Sequence, residues 1–113
     1  MALDLFAGIP VSDFARGLEW WERLLGTAPA FFPHDTEAVW ELDEHRFVYV
    51  VLEPENAGHA RLTVFAGDFD DRVTRMSARG VAPAQMETYG NGVRKATYRD
   101  PDGNEIGFGG APV

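Results

Sequence analysis

Apolar residues along the first fifty positions change their period, and the changes mark out the elements. Residues 3–10 (Leu-Asp-Leu-Phe-Ala-Gly-Ile-Pro) read as a strand ending at Pro10. Ser12 or Asp13 then offers a side-chain oxygen to the free amides of a first helical turn. Phe14, Leu18, Trp21 and Leu25 recur at helical spacing and give that helix one apolar face. Gly26 follows where a left-handed residue would close it. Three apolar stretches come next, at 30–32, 38–42 and 47–52, and read as strands. The last two are predicted to form a hairpin across Asp43-Glu44-His45-Arg46.

A turn-rich linker, about 54–58, precedes a second run of the same order. Residues 61–65 read as a strand, Asp68 as a helix cap, Phe69, Val73 and Met76 as a helix face, and Gly80 as its stop. Strands at 83–88, 93–99 and 105–108 follow, joined by Asn91-Gly92 and Asp102-Gly103, dipeptides that favour tight turns. Asp13-Phe14 matches Asp68-Phe69 at an offset of 55, and Ala28-Pro29-Ala30 matches Ala82-Pro83-Ala84 at 54. Agreement of cap, stop and strand entry signals a duplication. The expected fold class is α+β: two βαβββ repeats (about 1–53 and about 59–113) in one domain, 1–113. Each repeat has one helix outside a curved mixed sheet, and the two sheets lie around a cleft.

Composition narrows the function classes. With 45% hydrophobic and 25% charged residues the chain reads as globular, and no apolar run approaches the length that spans a bilayer. Zero cysteines exclude disulfides and thiolate metal sites. Together with an N-terminus that lacks the pattern of a signal peptide, this makes the cytoplasm the expected compartment. A net charge of −8 disfavours nucleic acid and anionic membranes as partners.

Two segments then point to a family. Asp100-Pro101-Asp102-Gly103-Asn104-Glu105-Ile106, and Ile9-Pro10-Val11-Ser12-Asp13 leading into a helix that ends Leu24-Leu25-Gly26, resemble the vicinal oxygen chelate superfamily. That superfamily includes glyoxalase I, extradiol dioxygenases, and fosfomycin- and bleomycin-resistance proteins. The likeness runs along essentially the whole chain. It implies a metal site built from inward side chains on the first and last strands of each half, and a homodimer whose second subunit completes the pocket.

Counting to those positions from fixed landmarks finds few ligands. Phe6 stands in place of the first-strand His and Gly107 in place of the last-strand Glu; Glu105 shares the face of Gly107 nearer the turn. An offset of 57 between hairpins (Asp43 to Asp100) points Val48, Val50 and Leu52 inward. The fifth strand offers Arg61 by the repeat or His59 by the resemblance. No metal or other cofactor is therefore expected, and no catalytic residue is assigned. His34 and His45 read as exposed polar residues, and Trp21 as core. Trp20 reads as a helix-edge or subunit-contact residue.

The expected ligand-binding residues are Phe6, Phe32, Trp40, Phe47, Val50, His59, Arg61 and Gly107, with the rings as a stacking surface for a small aromatic or cationic molecule. Arg61 would instead suit an anionic group, so the sign of the ligand's charge stays open. The resulting expectation is a metal-free small-molecule-binding protein resembling the bleomycin-resistance branch, engaged in antibiotic or toxin sequestration. The alternative is a glyoxalase- or dioxygenase-like enzyme (lyase, isomerase or oxygenase) with a relocated or non-metal site.

Overall fold

A computed structural model describes residues 1–113 and resolves the two repeats as two four-stranded mixed sheets. The first repeat runs β1 (Leu5–Val11), α1 (Phe14–Leu25), β2 (Phe31–His34), β3 (Glu37–Asp43) and β4 (Arg46–Leu52). A single turn of 3₁₀-helix (Pro54–Asn56) leads to β5 (Arg61–Phe65), α2 (Phe69–Ala78), β6 (Gln85–Thr88), β7 (Arg94–Arg99) and β8 (Glu105–Gly110). Strand order is β1-β4-β3-β2 in one sheet and β5-β8-β7-β6 in the other. The first and last strands of each repeat pair in parallel, Phe6 opposite Phe47 and Arg61 opposite Glu105. No helix is long and apolar enough to cross a membrane.

Local chemistry explains the element ends. The Asp13 side chain accepts a bond from the Arg16 amide, which selects Asp13 over Ser12 as the cap of α1. Gly26 closes that helix at φ 79°. Asp68 holds the capping position of α2, but its side chain makes no capping bond and binds Arg72 and Arg75 instead. His45 takes a positive φ of 65° in the β3–β4 turn.

One apolar core serves both repeats. Ile9, Val11, Trp40, Val48 and Val50 meet Trp21 and Leu24 of α1, while Tyr98, Ile106 and Phe108 meet Phe69 and Met76 of α2. On α1 it is Gly17, Trp21 and Leu24 that are buried; Phe14, Leu18 and Leu25 pack at the edge. Each buried aliphatic side chain contributes roughly 1.5–3 kcal/mol. Gly17 has no Cβ because one would fall 2.9 Å from a Val11 methyl, so α1 lies directly on β1.

The two repeats share no strand pairing and are tied by the turn between β7 and β8. Asp100, 5% exposed, accepts bonds from Trp21 Nε1 (3.0 Å), Asn104 Nδ2 (2.9 Å) and the amides of Asp102 and Asn104. Asn104 is fully buried. Its Nδ2 donates to the Pro10 carbonyl (2.7 Å) at the end of β1, and its Oδ1 accepts from the Ala60 amide (3.0 Å) before β5. Asp102 accepts from the Ser12 amide at 3.1 Å and from the Ser12 hydroxyl. The Asp-Pro-Asp-Gly-Asn motif thus brings the edge strands β1 and β5 to one seam.

Candidate functional site

Side chains alternate along each strand, and the helix-side core fixes which face is which. On β1 the odd residues Ile9 and Val11 enter the core, so Phe6, Gly8 and Pro10 stand on the opposite, open face. Phe47, Tyr49 and Val51 join them from β4 through the register Phe6–Phe47, Gly8–Tyr49 and Pro10–Val51. On the second sheet the open face carries Arg61, Thr63 and Phe65 from β5, Glu105, Gly107 and Gly109 from β8, and Lys95, Thr97 and Arg99 from β7.

At the seam lies an open cleft of about 870 Å³. The first repeat lines it with Leu5, Ala7 and Phe47; the second lines it with Leu62, Val64 and Phe108 from the helix side and with Thr63 and Phe65 from the open face. Phe47 is held flat by Phe6, ring centroids 4.5 Å apart and planes 8° from parallel. Asp68 and Arg72 stand on the rim. Partial desolvation pushes the Asp68 carboxyl up. Hydrogen bonds from Arg72 and Arg75 and the Arg72 charge outweigh that, so the group sits below its ordinary value of 3.8.

Several expected site residues do come near this seam. Phe6 and Phe47 form the stacked pair, Gly107 lies on β8 beside β5, and Arg61 begins β5. Arg61 does not point into a closed cavity: its side chain is 78% exposed and pairs with Glu105 at 3.3 Å, which Arg99 also holds. His59 is exposed in the segment before β5.

Four expectations need correction. Val50 is fully buried on the helix side of β4, because the hairpin offset is 58 (Phe47 to Glu105) and not 57. Matching Asp43 to Asp100 by residue type slipped the count by one, which moves every side chain to the other face. Tyr49, not Val50, is the counterpart of Gly107. Val48 is buried with Val50 for the same reason. Trp40 is likewise a core residue, 1% exposed, its indole donating to the Thr27 carbonyl at 2.9 Å. Phe32 is exposed on β2, three strands from β1 and so roughly 14 Å from the seam side of the sheet.

Tyr49, Thr63, Phe65 and Lys95 escaped the sequence reading. The sequence did carry a signal for them: each lies an even number of places from Phe47, Arg61 or Arg99 on its strand. Three of them lie over glycines, Phe65 over Gly109 and the other two at closer range. A Cβ on Gly8 would fall 2.6 Å from the Tyr49 ring, and one on Gly107 would fall 2.5 Å from Lys95 Cε.

The four positions that would hold a metal carry Phe6, Tyr49, Arg61 and Gly107, a donor set that does not fit a divalent ion. Nowhere in the chain do three or more His, Asp or Glu side chains gather as metal ligands.

Two βαβββ repeats around an aromatic seam define a glyoxalase-like α+β protein. The family model of the Glyoxalase/Bleomycin resistance protein/Dioxygenase superfamily matches residues 3–108, and the chain belongs to that family. It is similar to a glyoxalase/bleomycin resistance protein from Catenulispora acidiphila, with 54% identity, a TM-score of 0.95, and 98% of this chain and 100% of that one covered. TnmS3, an antibiotic binding protein from Streptomyces sp. CB03234, is 25% identical with a TM-score of 0.73, over 100% of this chain and 98% of that one. A lactoylglutathione lyase from Agrobacterium tumefaciens, 14% identical with a TM-score of 0.78 over 98% and 95% of the chains, shares the fold. The comparison with curated proteins returns no match.

Proposed function

We propose that this protein binds a small aromatic molecule non-covalently at the seam, without a metal, and so sequesters an antibiotic or toxin in the cytoplasm. The observation that carries the reading is the lining of the cleft: the Phe47 ring, stacked in parallel on Phe6, contributes to it from the first repeat, and Leu62, Val64 and Phe108 contribute apolar surface from the second. A flat ring fits such a slot, and nothing in it is arranged as nucleophile and base. The likeness to an antibiotic binding protein supports the same direction.

The working form is a homodimer. Phe6, Phe31 and Phe65 are 48%, 47% and 64% exposed, and they lie on sheet faces that neither helix covers. A second copy laid over these faces would bury them and complete the site.

Titration calorimetry with 2-naphthamide, a flat neutral probe, tests the reading. Binding that Phe47→Ala weakens roughly tenfold is expected from loss of one stacking ring. Absence of binding to the wild type would overturn it, as would a stoichiometric transition metal in the purified protein. Sedimentation at equilibrium checks the dimer.

A further inference from the structure

The open face of the second sheet contains a cation that no carboxylate neutralises. Lys95 projects from β7, its stem lying across Gly107: a Cβ there would fall 2.5 Å from Lys95 Cε, 3.4 Å from Nζ and 3.5 Å from Thr63 Oγ1. The missing side chain at Gly107 leaves room over the middle of the sheet, and the ammonium and the Thr63 hydroxyl both border that space. Thr63 in turn lines the cleft together with Phe47.

The other charges of this face are already engaged or stand off. Glu105 is held by Arg61 at 3.3 Å and by Arg99 at 3.2 Å. Glu87 is the register partner of Lys95 on β6, yet no ion pair joins them within 4.0 Å. Lys95 is half-buried, so its charge is only partly screened by water.

We infer that Lys95 Nζ and Thr63 Oγ1 form an anion-binding subsite at the edge of the cleft, which selects aromatic ligands bearing a carboxylate, phenolate or enolate oxygen. The inference rests on the aromatic-cleft reading above and adds the sign of the ligand's charge. A ring lying against Phe47 places a substituent toward Thr63. There the hydroxyl donates one hydrogen bond and the ammonium a charge-assisted one. The cationic ligand that the overall acidity of the chain would favour is disfavoured locally.

The test compares three probes that share one ring system, by calorimetry on the intact protein: 2-naphthoate, neutral 2-naphthamide and 2-naphthylmethylammonium. Wild type is expected to bind naphthoate roughly tenfold tighter than the amide, in a salt-sensitive manner, and the ammonium weakest. Lys95→Met should bring naphthoate to within about twofold of the amide while leaving the amide unchanged, and Lys95→Arg should retain the preference. Equal binding of naphthoate and amide, or a silent Lys95→Met, overturns the subsite and leaves the aromatic cleft standing. Preference for the ammonium overturns it too and assigns the charge of the face to Glu87, which Glu87→Gln would then abolish. Binding of none of the three overturns both readings.

Discussion

Asp100→Asn removes one negative charge from the junction of the two repeats, and the structure sets how much that should cost. Asp100 Oδ1 accepts the amides of Asp102 (3.0 Å) and Asn104 (2.9 Å); Oδ2 accepts Trp21 Nε1 (3.0 Å) and Asn104 Nδ2 (2.9 Å). An asparagine can keep one oxygen on the two backbone amides, but its NH₂ then faces two buried donors. Trp21 and Asn104 are both fully buried, so no water replaces the lost acceptor. Each buried donor left without a partner costs about 1–3 kcal/mol, which gives roughly 2–6 kcal/mol for the pair. For a chain of this length that is about 8–25 °C in Tm. Urea denaturation followed by Trp fluorescence and far-UV circular dichroism measures it. Asp102→Asn is the matched control: Asp102 also bridges the repeats, through the exposed Ser12, and its loss should cost under about 1 kcal/mol. If Asp100→Asn costs no more than Asp102→Asn, the buried carboxylate does not hold the repeats together.

The Tyr98 hydroxyl is buried without a hydrogen-bond partner, so Tyr98→Phe should leave stability unchanged or raise it by up to about 1–2 kcal/mol, and a clear loss would reveal a bound water. Burial also raises the Tyr98 pKa above 10.0, so the unfolded chain ionises first and stability falls as pH climbs past 10.0; that alkaline loss should shrink in Tyr98→Phe. Asp68 titrates below 3.8 in the folded state, so its contribution is present above that value and disappears as pH falls through the folded pKa. Asp68→Asn should flatten this acid limb by less than about 1 kcal/mol, because the side chain is 42% exposed, and 1 M salt should shrink the difference. Gly110→Ala should cost about 1–3 kcal/mol, since its Cβ would fall 2.5 Å from Phe69 Cγ and the Arg94 guanidinium lies over that ring; Gly67→Ala, with nothing within 4 Å, should be near neutral by thermal denaturation.

Much of the fold was legible because its signals are local. Asp13, Gly26, Asn91-Gly92 and Asp102-Gly103 act through their own turn, and the observed ends of α1 and of the β7–β8 hairpin follow from them. The expected strand at 83–88 forms only over Gln85–Thr88, because Pro83 has no amide to donate and Ala84 alone bonds back to β7. The role of Asp100 was not legible. A buried carboxylate and an exposed one read alike in sequence, and its main partner, Trp21, lies 79 residues away.

The site was half legible for a related reason. Periodicity defines two faces of a strand but not which faces the helix, and the one anchor chosen, Asp43 with Asp100, joined residues that are not equivalent. On β1 and β8 the count, made from helix cap and turn, landed on Phe6 and Gly107, which lie on the open faces; on β4 it landed on Val50, on the helix side. The correction alters the chemistry as well as the geometry. With Tyr49 and Lys95 placed on the open faces, both repeats show one device: a mid-strand glycine overlain by a long side chain from a neighbouring strand. At Gly107 that side chain brings a positive charge to the position where the resemblance puts a metal-binding carboxylate. A ligand oxygen that a metal ion would have met can there be met by an ammonium, which binds and orients it but supplies no open coordination position for reaction. On the proposed reading, a donor set that does not fit a metal and a polar anchor beside it are compatible, and together they support a pocket that holds its ligand unchanged.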